Sequence, residues 1–64
     1  MTIGTRIRAR RLSLRLTQAE AAERAGWSQG RWADIEGSRR ATLMLSTLEA
    51  VARALDTTPK YFLD

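Results

Sequence analysis

Thr17-Gln18-Ala19-Glu20-Ala21-Ala22-Glu23-Arg24-Ala25-Gly26-Trp27-Ser28-Gln29-Gly30-Arg31-Trp32-Ala33-Asp34-Ile35-Glu36 carries the signals for two short helices and a tight turn between them. Thr17 followed three residues later by Glu20 is a capping box, in which a hydroxyl and a carboxylate satisfy the free N–H groups of a first turn from both sides. Ala19, Ala21, Ala22 and Ala25 carry that helix to Gly26, the residue that best tolerates a left-handed end. Ser28 then serves as N-cap of a second helix reaching Glu36. Trp32 and Ile35, three apart, share its inner face and drop it onto a core. Ala22 lies where the two helices cross, and its methyl lets their axes approach. Gln29, Gly30, Ala33 and Asp34 are left on the opposite, solvent face.

The flanking sequence adds three more helices. Between Thr2 and Leu14, Ile3, Ile7 and Leu14 recur at helical spacing among Arg6, Arg8, Arg10 and Arg11. After a loop at Gly37-Ser38-Arg39-Arg40, Ser46 with Glu49 offers another capping box. Leu48, Val51, Ala52 and Leu55 follow as one apolar stripe. Asp56 and Thr57 break that pattern, and Thr58-Pro59 opens a last short turn holding Tyr61, Phe62 and Leu63. No stretch alternates like a strand. The expectation is an all-α fold of five short helices, a single domain over residues 1–64 with its paired helices at about 17–36.

Composition removes several kinds of chemistry. Among the 64 residues there is no Cys and no His, so disulfides, thiolate and imidazole metal sites, thiol nucleophiles and histidine bases are all out of reach. No apolar run approaches the roughly 20 residues that span a bilayer. Met1 to Ile7 lacks the apolar centre of a signal peptide. A soluble, intracellular protein without metal, cofactor, small-molecule substrate or membrane partner is expected. Net charge is +4 and unevenly spread: nine Arg face four acids in residues 1–40, whereas residues 41–64 carry two cations and three acids. A basic front of this kind suits a polyanion. Arg accounts for ten of the eleven cations, which fits phosphate and base edges through its planar fork but equally fits a GC-rich genome.

Two short helices joined by Ala25-Gly26-Trp27-Ser28 are the sequence form of a helix-turn-helix, whose exposed second helix fits a B-DNA major groove. Ile3-Gly4-Thr5-Arg6-Ile7-Arg8, Arg11, Leu16-Thr17-Gln18, Ala22, Gly26, Ser28-Gln29, Ile35-Glu36 and Thr47-Leu48 to Ala54-Leu55 together resemble the Cro/CI (XRE) family. The DNA-binding domains of lambdoid phage repressors look most similar, and the likeness covers nearly the whole chain.

The resemblance implies a lambda-repressor-like five-helix domain that binds DNA as a twofold dimer. Gln18 matches a glutamine that bonds a backbone phosphate from a helix N-terminus. Ser28 and Gln29 match the start of the recognition helix, where a glutamine can grip adenine N6 and N7. Arg11 and Glu36 match an orienting ion pair, with Arg11 also near a phosphate, and Arg39 and Arg40 are placed for the sugar-phosphate backbone. Ala22, Gly26, Trp32, Ile35 and Glu36 form the scaffold. The chain also departs from the pattern. Gly30 reads no base, Asp34 stands at a second reading position and can accept from cytosine N4, and Arg31 can reach a phosphate or a guanine. Arg15 takes the place of a usual glycine after the first helix, and the usual glycine after the third is shifted to Gly37.

Plainer readings stand beside these. Gln18 and Gln29 alone would pass for solvated helix residues, and Arg6, Arg8 and Arg53 for ordinary surface charges, with Arg8 or Arg10 near DNA as the alternative. Trp27 either covers the end of the core or touches DNA. Leu43, Met44 and Leu45 either cap the core or join Tyr61 to Leu63 in a dimer contact. The expected function is that of a sequence-specific transcriptional regulator, a repressor binding a pseudo-palindromic double-stranded operator as a homodimer, in a bacterial or phage-encoded, nucleoid-associated setting. A protein-interaction module of the same fold, antitoxin-like, is the alternative. No base and nucleophile can be assembled into an enzyme site.

Overall fold

Thr2 opens the first helix: its side chain accepts the Thr5 N–H at 3.2 Å. The computed structural model describes residues 2–63, and every regular element among them is an α-helix. The order is α1 (Ile3–Ser13), α2 (Gln18–Ala25), α3 (Gln29–Glu36), α4 (Leu45–Ala54) and α5 (Pro59–Leu63), within extents of 24 × 20 × 20 Å. The single domain expected over residues 1–64 is thus found across 2–63; Met1 and Asp64 lie outside the described residues.

The local signals around the turn act as the sequence suggests. Thr17 Oγ1 accepts from the Glu20 N–H at 3.1 Å while Glu20 Oε1 accepts from the Thr17 N–H at 2.9 Å, so both halves of the capping box are made. Gly26 ends α2 at φ +75, where a Cβ would clash with the carbonyl that follows. The Trp27 N–H returns to Ala22 O at 2.9 Å, and Ser28 caps α3 by accepting from the Arg31 N–H at 3.2 Å. Ala21 and Ala22 of α2 are both buried in the core, and α2 packs against α3. Trp32 from α3 is fully buried, in one core cluster with Ile3 and Ile7 of α1 and Leu48 and Val51 of α4.

Gly4 fixes how α1 meets α3. A Cβ there would lie 2.3 Å from the Glu36 carbonyl oxygen and 2.8 Å from that of Ile35, so only a glycine lets the backbone of α1 lie against the end of α3. At the other pole, two arginines close α4. Arg10 donates to the Leu55 and Asp56 carbonyls at 3.0 and 3.2 Å, and Arg24 donates to Ala54 O at 3.3 Å. Cations at a helix C-terminus satisfy orphan carbonyls and complement the helix dipole.

One expectation needs correction. Ser46 and Glu49 form no capping box: α4 starts at Leu45, its N-cap is Met44, and no side chain caps it. The earlier start gains the Leu48 N–H to Met44 O bond at 2.9 Å, which a cap at Ser46 would forgo, and Ser46 becomes an ordinary exposed first-turn residue. Gly37 follows α3 as its C-cap, as expected, at φ −84 in the right-handed region. Arg15, at φ +60, is left-handed in the position where a glycine is usual, and Asp56 is left-handed as well, at φ +55. Of the Leu43-Met44-Leu45 run, only Leu43 packs on the core, while Met44 and Leu45 are exposed.

Candidate nucleic-acid interface

The orientation of α3 rests on one buried carboxylate. Glu36 accepts from Arg11 Nε at 2.6 Å and Arg11 Nη2 at 3.0 Å, from Gln18 Nε2 at 3.2 Å, and from the Trp32 indole N–H. Arg11 Nη1 also donates to Leu16 O at 2.7 Å. The side chains of Arg11 and Glu36 are 8% and 4% exposed, so the pair lies in a low-dielectric setting where bidentate geometry counts most. Burial pushes the Glu36 carboxyl up, but the hydrogen bonds from Arg11, Trp32 and Gln18, with the Arg11 charge, outweigh it and hold the group below its ordinary range. One acid thereby ties α1, α2 and α3 together.

This hub positions the expected phosphate anchor. Gln18 is the first residue of α2, half-buried, with its amide held on Glu36 and its backbone N–H at the free end of the helix. Arg8, Gln18, Gln29, Ala33 and Gly37 line one shallow recess along this flank of α3, with Arg11 and Glu36 at its floor. Arg8, read from sequence as an ordinary surface charge or one near DNA, stands in this recess. Arg10 does not join it, because it is committed to the C-terminal end of α4 and lies over the Tyr61 ring at 5.3 Å. Three of the Arg11 donors are spent inside the protein, so its structural part is that of a positioning residue.

The opposite flank of α3 is lined by Arg31, Asp34, Ser38, Arg40 and Met44. Between the flanks, Gly30 is exposed with nothing within 4 Å of the place its Cβ would take. Ser28, Gln29, Arg31, Asp34, Arg39 and Arg40 are all exposed, as an interface requires, whereas Trp32 and Ile35 are buried behind them. Sequence reasoning missed one contact. The Arg31 guanidinium lies over the Trp27 ring, 4.1 Å from its centroid, and Trp27 in turn packs against Trp32 with centroids 6.0 Å apart. The i, i+4 spacing of Trp27 and Arg31 was the available signal.

Among the described residues no helix is long and apolar enough to cross a membrane. A family model described as a helix-turn-helix domain matches residues 2–60. The immunity repressor protein of Bacillus phage phi105 is 53% identical over 55 residues, which covers 86% of this chain and 38% of that relative. The chain therefore spans well under half the length of that protein. No solved structure matches significantly.

Proposed function

The chain belongs to the helix-turn-helix domain family, and from that premise we propose that it binds double-stranded DNA with α3 in the major groove and represses transcription by occupying an operator. The observation that carries this reading is the two-sided character of α3. Its inner side is locked by Trp32, Ile35 and the Glu36 hub, while Gln29, Gly30, Arg31 and Asp34 face outward between arginine-bearing flanks. Gln29 reads an adenine, Asp34 a cytosine amino group, and Ser28 an adjacent base edge. Gln18, Arg39 and Arg40 meet phosphates, with Arg11 behind Gln18. The relative's name as an immunity repressor supports the regulatory direction.

A homodimer on a pseudo-palindromic operator would place two copies of α3 about one helical turn, roughly 34 Å, apart. Met44, Leu45, Tyr61 and Leu63 are exposed apolar side chains available for that self-association. Such a protein works at the bacterial nucleoid and catalyses nothing.

Selection of binding sites from a random duplex pool tests the reading. Recovery of a site with two half-sites one turn apart is expected. Recovery of no enriched sequence, alongside capture of a protein partner instead, would favour the interaction-module alternative.

A further inference from the structure

We propose that Trp27 is a positioning residue that holds the Arg31 guanidinium as a clamp on a backbone phosphate, on the groove wall opposite the one met by Gln18. The proposal rests on the DNA-binding reading above. Of the two contacts open to Arg31, a guanine or a phosphate, it selects the phosphate, and it gives a task to the tryptophan of the turn.

The placement on α3 comes first. At about 100° per residue, Gln29 and Arg31 sit some 200° apart and bracket the exposed arc of Gly30, Ala33 and Asp34. Gln29 shares its flank with Gln18 and Arg8, and Arg31 shares the other with Ser38 and Arg40. A helix roughly 10–12 Å across fills a major groove about 12 Å wide, so the centre of its exposed arc faces base edges and its flanks face the two phosphate walls. Arg31 stands on a flank.

The stack then explains how a long side chain on that flank is held ready. The guanidinium lies over the Trp27 ring at 4.1 Å even though Asp34 is three residues further along the same helix. Among the described residues no hydrogen bond or ion pair takes up its N–H groups. An indole covers the face of a guanidinium and leaves the donors, which lie in its plane, at the rim. Trp27 is itself fixed: half-buried, tilted against the enclosed Trp32, and tied by its backbone N–H to Ala22 O at 2.9 Å. The pedestal is thus continuous with the core, and the side-chain freedom that a solvated arginine would lose on binding is largely lost beforehand. Asp34 lies in the same recess and opposes a phosphate, but Arg31 and Arg40 outnumber it there.

The test is the salt dependence of duplex affinity for the chain and for R31Q, W27L, W27F and the W27L/R31Q pair. It uses a duplex recovered by selection and a random-sequence duplex, with thermal melting to confirm folding. R31Q is expected to lower the log–log slope by about 0.9 per bound copy and to weaken both duplexes alike. W27L is expected to lose about three- to tenfold in affinity with part of that slope, W27F to recover most of it, and the pair to bind no worse than R31Q alone. A W27L loss that persists undiminished in the R31Q background would overturn the coupling. An unchanged slope in R31Q, with preference relaxed at one guanine, would overturn the phosphate assignment. If W27L does not fold, R31Q still decides the phosphate assignment, and W27A with W27A/R31Q takes the place of the leucine variants in deciding the coupling. Failure of the unmodified chain to bind any duplex at low salt would instead overturn the DNA-binding reading itself.

Discussion

Glu36 is the residue on which most depends, because four donors from three helices converge on it. Its carboxyl is depressed in the folded protein, so the unfolded chain takes up that proton more readily. The stabilisation is complete above the ordinary value of 4.5 and is lost as pH falls through the lower folded value. Thermal melting is therefore expected to hold level from neutral pH down to about 5 and to decline below about 4.5. Glu36→Ala, which strands the buried Arg11 charge, should cost about 3–5 kcal/mol, against a total of roughly 3–10 for a domain of this size. A melting temperature indifferent to that substitution would contradict the hub. Arg15 gives the converse case. At φ +60 it carries left-handed strain, so Arg15→Gly should raise stability by up to about 1 kcal/mol in chemical denaturation, and a loss would show that its side chain compensates. Part of this is legible from residue identities alone. That Trp32 is buried follows from its sharing a face with Ile35, and the i, i+4 spacing was the available signal that its N–H meets Glu36. That Arg10 caps α4 was hidden because its partners are 45 and 46 residues away.

At the scale of elements, legibility depended on whether a signal was purely local. Thr17-Glu20, Gly26 and Ser28 each act within one turn of chain, and each does what its residue type suggests. Ser46-Glu49 has the same spacing as the first capping box and still fails, because an earlier start at Leu45 gives α4 another backbone bond. The close approach of Gly4 to the end of α3 is a contact between distant segments, which spacing along the chain does not encode. Gly30 lies in α3 with open space where a Cβ would go. Gly30→Ala should stabilise the domain by about 0.5–1 kcal/mol in denaturant titration. Because that methyl would project between the flanks, it should also change affinity for the selected operator more than for random duplex. Equal changes on both would place Gly30 away from the bases.

For the whole molecule, the basic half of the sequence and the basic flanks of α3 are not the same thing. Arg8, Arg31 and Arg40 line the recesses, whereas Arg10 and Arg24 face the opposite pole and hold α4. Net charge alone therefore overstates how many cations a polyanion would meet. With roughly three or four phosphate contacts per subunit, a dimer should show a log–log salt slope of about −5 to −7, and a slope near zero would exclude a backbone-anchored complex. The central claim is that α3 and the start of α2, rather than the Arg10–Tyr61 pole, meet DNA. Amide chemical-shift mapping during titration with the selected duplex tests it most directly. Perturbations concentrated at Gln18, Gln29 to Asp34 and Arg39-Arg40, with Leu55 and Asp56 unmoved, are the expected result. Shifts centred on Leu55 to Tyr61, with α3 unaffected, would contradict it.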